Sequence, residues 1–379
     1  MIGATMPGAI HRAAGPTVKR PDDTWCTGTA RRERRCRFRQ TRTKEGREDM
    51  SLKKAALVVG IEDYPGSWLP GCVKDATTVK ELLSRNDDRS SNFSCIELLG
   101  PKGTASGSSQ ITRVLLRHHV RDILAKKVDM ALMYFSGHGI VTARGGFLVT
   151  QDWKAGDEGV GMHEIVEYAN DSKIPQITII VDACFSGKLG AVPAIKEDRA
   201  VLREGVAILT ASSGDEVAVM SSDRSLFTSY VCAALEGGAA DVRGDVTSAS
   251  IYAYVEQIMG PLDQRPMYKA NVARLDALRS CNPVVPQDVL RKLVEYFPRL
   301  NEEHKLDPAY EPDHGQHPPG TTPDPRKEAI FADLQRLRDA RLVVPVDAPH
   351  MFAAAINSKS CRLTPLGKFY WRLAKEGLL

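Results

Sequence analysis

From residue 54 onward the apolar positions switch repeatedly between two periods. Residues 55–61 (AALVVGI) form an unbroken aliphatic run, as expected of a parallel strand covered on both faces. Val73, Ala76, Val79, Leu82 and Leu83 then recur at helical spacing. Residues 95–99 predict a short strand leading into a Gly/Ser-rich loop, and Ile111, Val114, Leu115, Ile123 and Leu124 mark a second helix. Strands are expected at 130–135, 177–181 and 206–211, with helices at 165–169, 226–235 and 248–259. Repeated strand–helix units predict a mainly parallel sheet sandwiched between helices. No internal repeat is visible.

The pattern changes after residue 280. Residues 307–325, rich in Pro, His, Gly and Asp, read as a loop or linker. Past it come an amphipathic helix at 326–341, a short strand at 342–346 and a last helix at 363–373. With a helix at 287–296, these predict a small α+β module of winged-helix type. The expected division is a tail (1–49), a large α/β domain (50–282), a helix and linker (283–325) and the module (326–379), to which 284–300 could be added.

Charge matters through its location. The formal net charge is +4, but residues 1–49 carry twelve Lys or Arg against six acids, so the tail nets +6 and the remainder −2. The body therefore has no general attraction for nucleic acid. The tail lacks periodic apolar positions and the apolar core of a secretory signal. Met50-Ser51-Leu52-Lys53-Lys54 reads as a natural start, so residues 1–49 are expected to be an over-extended start or a disordered, dispensable tail, with an Arg-rich transit peptide or a nucleic-acid arm as the lesser alternatives. No apolar run approaches the ~20 residues of a membrane span. The eight cysteines (26, 36, 72, 95, 184, 232, 281 and 361) include no C-x-x-C pair, which argues against a zinc module and a disulfide framework. A reducing cytoplasm fits that usage and suits a working thiolate.

Two predicted strands run into reactive side chains. The strand at 130–135 leads into Ser136-Gly137-His138-Gly139, and that at 177–181 into Asp182-Ala183-Cys184-Phe185-Ser186-Gly187. Active sites of open α/β sheets form beyond the carboxyl ends of strands, so His138 and Cys184 can meet although far apart in sequence. A thiol of ordinary pKa, about 8.5, is mostly protonated at neutral pH and needs an imidazole to raise its thiolate fraction. His138 would take that proton and return it to a leaving amine. The backbone N–H groups of Gly139 and Cys184 are the natural donors to an oxyanion.

Tyr134-Phe135-Ser136-Gly137-His138-Gly139 together with Asp182-Ala183-Cys184-Phe185-Ser186-Gly187 resembles the paired motifs of the caspase, metacaspase and paracaspase clan. The resemblance spans roughly residues 54–280 and includes Ala211-Ser212-Ser213, Glu216-Val217-Ala218, the helix start at Phe227-Thr228 and the turn Gln264-Arg265-Pro266. It implies a caspase-like α/β/α sandwich and a cysteine endopeptidase with the dyad His138 and Cys184. Metacaspases cleave after Arg or Lys, and their first specificity pocket is matched here by Cys72, Asp75, Ser136 and Asp182. Two convergent carboxylates favour a cationic side chain, Arg above all. The rival view makes Asp75 a solvated helix residue and Asp182 a turn former.

Several metacaspases need calcium. Asp152 matches one ligand, but Met162-His163 stands where an acidic pair is expected, and calcium wants six or more oxygens. No cofactor is therefore expected. His314 and His317 read as a solvated loop. The polar stretch 188–203 carries Lys188, Lys196, Arg199 and Arg203, and corresponds to a linker often cut during activation in this clan. The expected partners are a protein or peptide substrate with a basic P1 residue, and a partner protein at the C-terminal module, in signalled proteolysis such as stress or defence. The alternatives are a catalytically silent caspase-fold scaffold and a DNA-binding regulator acting through that module.

Overall fold

The structure, a computed structural model, describes residues 53–183, 185–186, 201–211, 220–221, 224–259 and 266–379. The tail expected at 1–49 lies outside them. The chain runs through β1 (Lys54–Ile61), a short hairpin of β2 (Asp63–Tyr64) and β3 (Ser67–Trp68), α1 (Cys72–Ser84), β4 (Phe93–Gly100), α2 (Arg113–Leu124) and β5 (Met130–Ser136). Next come β6 (Gly139–Thr142), β7 (Gly145–Lys154), β8 (Asp157–Gly161), α3 (Met162–Asp171), β9 (Gln176–Asp182) and β10 (Phe185–Ser186). They are followed by β11 (Val206–Thr210), β12 (Met220–Ser221), β13 (Arg224–Ser225), α4 (Leu226–Ala233), β14 (Asp245–Val246), α5 (Ser248–Met259), β15 (Met267–Asn271) and β16 (Arg279–Ser280).

Six strands form one sheet in the order β15-β11-β9-β5-β1-β4. Neighbours are parallel except the edge pair β11 and β15. Side chains alternate across the sheet. Leu57, Val59 and Ile61 join the core under α2 and α3, and Ala56 and Val58 join the one under α1, α4 and α5. Both faces are covered, which is why β1 is continuously aliphatic. The result is the α/β/α sandwich expected from the sequence.

Gly60 lets α1 lie close on the sheet. A Cβ at this position would stand 2.3 Å from the Cys72 carbonyl oxygen and 2.7 Å from the Ala76 Cβ. Gly60→Ala should therefore push α1 off the sheet and destabilise the fold by about 1–3 kcal/mol, as overpacking does. Urea unfolding would show it as a lower midpoint at unchanged slope.

A second sheet, in the order β10-β6-β7-β8, stands beyond the carboxyl ends of β5 and β9. The apolar pattern did not announce it, because β7 buries the polar Thr150 and Gln151. The Gln151 amide is satisfied by the Ile111 N–H (2.7 Å), the Asp63 carbonyl (2.7 Å) and the Thr104 hydroxyl (2.9 Å). That network fixes the Gly/Ser-rich loop before α2.

The C-terminal part contains α6 (Gln287–Arg291), α7 (Leu293–Tyr296), β17 (His304–Lys305), α8 (Pro325–Asp339), β18 (Val343–Val346), α9 (Met351–Ile356), β19 (Ser360–Leu363) and α10 (Pro365–Lys375). Its strands form an antiparallel sheet in the order β17-β19-β18. The helix expected at 287–296 is two short helices with Lys292 between them. A third core draws on residues from Val285 to Tyr370, including Phe297, Tyr310, Phe331 and Leu337. The stretch 307–325 is thus tied into the fold through buried Tyr310, and His314 bonds Glu328 at 2.9 Å.

Candidate active site

β5 and β9 run side by side with Ser136 opposite Asp182. Each strand then leaves the large sheet and enters the small one, where Gly139 pairs with Phe185. The Gly137 N–H also donates to the Asp182 carbonyl at 3.2 Å. The turn carrying His138 and the segment from Ala183 to Phe185 are therefore bracketed by the same two backbone ladders. Cys184 itself lies outside the described residues. Gly139 is buried at the start of β6, between β10 and β7.

His138 is held by the hairpin that follows β1. Its backbone N–H donates to the Tyr64 hydroxyl at 3.0 Å, and the two rings lie 4.7 Å apart. Gly137 makes room for that hydroxyl, which a Cβ would approach to 2.4 Å. The His138 Nε2 is 3.1 Å from the Ser67 Oγ. Burial lowers the imidazole pKa below its ordinary 6.5, because an imidazolium is poorly solvated there. Sequence reasoning passed over Tyr64 and Ser67. The turn signal Pro65-Gly66, with Gly66 at φ +75°, could have flagged a hairpin beside the first strand.

Cys72, Asp75, Ser136 and Asp182 come together under the carboxyl ends of β5 and β9. The first turn of α1 supplies Cys72 and Asp75, and its start is fixed by Glu62, whose Oε1 accepts from the N–H groups of Gly71 (2.9 Å) and Val73 (3.1 Å). Asp75 is 1% exposed and Asp182 5%. Asp75 is therefore not the solvated helix residue of the rival view. Asp75 Oδ1 accepts from the Arg224 Nε at 3.3 Å, and its Oδ2 from the Ser225 N–H at 3.2 Å. Asp182 accepts from the hydroxyls of Thr228 and Ser225, and Tyr134 bonds the same Thr228 hydroxyl at 2.6 Å.

The electrostatics follow from this burial. Desolvation pushes the Asp75 carboxyl up to about 7, with the neighbouring Asp182 adding to it and Ser225 and Arg224 opposing. Desolvation also raises Asp182, against its hydroxyl donors. The Cys72 thiol is driven far upward by burial, against a hydrogen bond from Ser136. Arg224, Ser225 and Thr228 were missed as site residues, since only the helix start Phe227-Thr228 stood out in the sequence.

Asp152 is used otherwise. Its Oδ1 accepts from the Arg113 N–H (2.9 Å) and the Thr150 hydroxyl (2.7 Å), tying β7 to the start of α2. Among the described residues, no group of three or more His, Cys, Asp or Glu is arranged to hold a metal ion. No described helix is long and apolar enough to cross a membrane.

Sheet order and covered faces define an α/β/α sandwich. The chain belongs to the caspase domain family, whose model matches residues 53–276, and this match makes the sandwich a cysteine peptidase-type fold. Similar solved structures include caspase-1 from Spodoptera frugiperda, at 14% identity and a TM-score of 0.44, over 61% of this chain and 91% of that one. A Geobacter sulfurreducens protein has the same identity and TM-score, over 61% of this chain and 98% of its own. No curated protein matches the sequence.

Proposed function

We propose that this chain is a cysteine endopeptidase that cleaves after Arg or Lys, with Cys184 as nucleophile and His138 as general base and acid. The supporting observation is the double bracketing, in which Ser136 faces Asp182 and Gly139 faces Phe185 on either side of the two turns. The Cys184 thiol gives its proton to the imidazole as sulfur bonds to the scissile carbonyl carbon. The imidazolium then protonates the leaving amine as the C–N bond breaks, and water hydrolyses the thioester. With Ser67 on Nε2, Nδ1 is the nitrogen that carries this proton. The N–H groups of Gly139 and Cys184 would receive the oxyanion. Fluorogenic peptides ending in Arg or Asp test the proposal. Hydrolysis of the Arg peptide is expected, and preference for Asp would overturn the pocket assignment.

Ser67 is a positioning residue. Ser67→Ala removes one ordinary hydrogen bond, worth about 1 kcal/mol, so kcat should fall about fivefold. The acid limb of kcat/KM, expected below pH 6.5 because burial lowers the His138 pKa, should move in the same variant and be restored by Ser67→Thr. An unchanged limb would leave Ser67 without that role.

The pocket should also titrate. With Asp75 near 7, the carboxylate form that holds a P1 cation grows in as pH rises through neutrality. KM for Arg peptides should therefore fall between about pH 6 and 8, and Asp75→Asn should flatten that dependence. Arg224 and Asp182 face Asp75, with Cys72 nearby.

In the stretch 188–203, residues 188–200 lie outside the described ones. Arg203 is engaged, its guanidinium donating to the carbonyls of Ala169 (2.9 Å), Glu204 (2.6 Å) and Ile174 (2.6 Å). Self-cleavage, if it accompanies activation, is therefore expected after Lys188, Lys196 or Arg199 instead. The C-terminal part, whose sequence lacks a dense basic run, is assigned to protein contacts within the same proposal.

A further inference from the structure

The acidic pocket already holds a cation from its own chain. Arg224 lies on β13, directly before α4, with its Nε 3.3 Å from Asp75 Oδ1 and its terminal nitrogen 3.4 Å from the Cys232 sulfur. Its side chain is 23% exposed, whereas that of Asp75 is 1%. Both oxygens of Asp75 are engaged, since Oδ2 accepts the Ser225 N–H at 3.2 Å. Asp182 is likewise engaged by Ser225 and Thr228.

We infer that Arg224 is a resident occupant of the acidic pocket, which a substrate's cationic side chain must displace, so that Arg224 sets how strongly Arg and Lys are accepted. This rests on the reading of Asp75 and Asp182 as the P1 pocket. Three observations support it. A guanidinium on a buried carboxylate is the interaction a P1 Arg would make, so the two compete for one acceptor. Two guanidinium groups on one carboxylate oxygen would repel each other, so entry of the second requires exit of the first. The side chain is not locked in: among the described residues β13 pairs with the two-residue β12, outside both larger sheets, and the Arg224 side chain reaches solvent. The exchange replaces one buried ion pair with another of the same kind. The substrate therefore gains less from its charge than an empty pocket would give, since a tethered competitor acts at a high effective concentration.

Arg224→Gln tests this with an Arg-terminated fluorogenic peptide. KM should fall about tenfold, a gain of the size expected when a tethered competitor is removed. Agmatine, which presents a guanidinium without a peptide, should bind Cys184→Ala/Arg224→Gln about tenfold more tightly than Cys184→Ala, measured by calorimetry. A KM that stays level or rises, with agmatine affinity unchanged, would overturn the inference while Arg cleavage by the unaltered protein still upholds the P1 reading. Failure of the unaltered protein to prefer Arg over Asp peptides would instead sink that reading. If Arg224→Gln does not fold, Arg224→Lys decides. Lysine keeps the charge but loses the planar fork, so a KM two- to threefold below the unaltered value supports displacement, and an equal value refutes it.

Discussion

Cys184→Ala is expected to abolish the proposed peptide hydrolysis, lowering kcat by at least about 10⁴-fold, the scale seen when a nucleophile is removed from a unit that works through a base. The backbone N–H remains, so the loss reports the sulfur alone. His138→Ala should cost about as much, and the double variant little more, because the two groups act on one proton. The other thiols among the described residues are poor substitutes. Burial raises the pKa values of Cys72, Cys95 and Cys281, and takes those of Cys232 and Cys361 to about 12. None of these five would supply much thiolate at neutral pH. Activity within tenfold of the unaltered protein would place the nucleophile elsewhere. An unchanged thermal midpoint is the control for folding.

Asp182→Asn should lower kcat/KM for Arg peptides by about 10²–10³-fold, within the range expected when one partner of a buried charge pair is lost. The amide keeps one acceptor oxygen for the donors on Thr228 and Ser225, so part of the local hydrogen bonding is lost with the charge. Activity on a peptide with a neutral P1 residue should drop far less. Equal losses on both peptides would mean that Asp182 supports the fold or the nucleophile turn, not charge recognition.

Much of this architecture was legible because burial on both faces leaves a strong mark. The runs behind β1, β5, β9 and β11 are predominantly apolar, and α5 occupies the predicted 248–259. The small sheet left a weak mark, since β6, β8 and β10 are short and its long strand β7 buries Thr150 and Gln151. The site divides in the same way. Cys72, Asp75, Ser136, His138 and Asp182 stood out through paired motifs at strand ends and the first helix. Ser67, Arg224 and Ser225 are ordinary polar residues in two-residue strands, and their roles exist only once remote segments meet. Arg224 and Asp75, for example, are 149 positions apart.

The parallel ladder between β9 and β11 carries a consequence for covalent integrity. The stretch joining β10 to β11 connects two pieces that are interleaved in space: β11 lies between β9 and β15, and α4 packs beside α1. Polar ties across the same divide include Asn92 to the Leu278 carbonyl and Lys54 to the Ala277 carbonyl. A nick in that connector would separate two bands under denaturing conditions yet leave one particle in native sizing. Scission there would cut the backbone without dismantling the molecule.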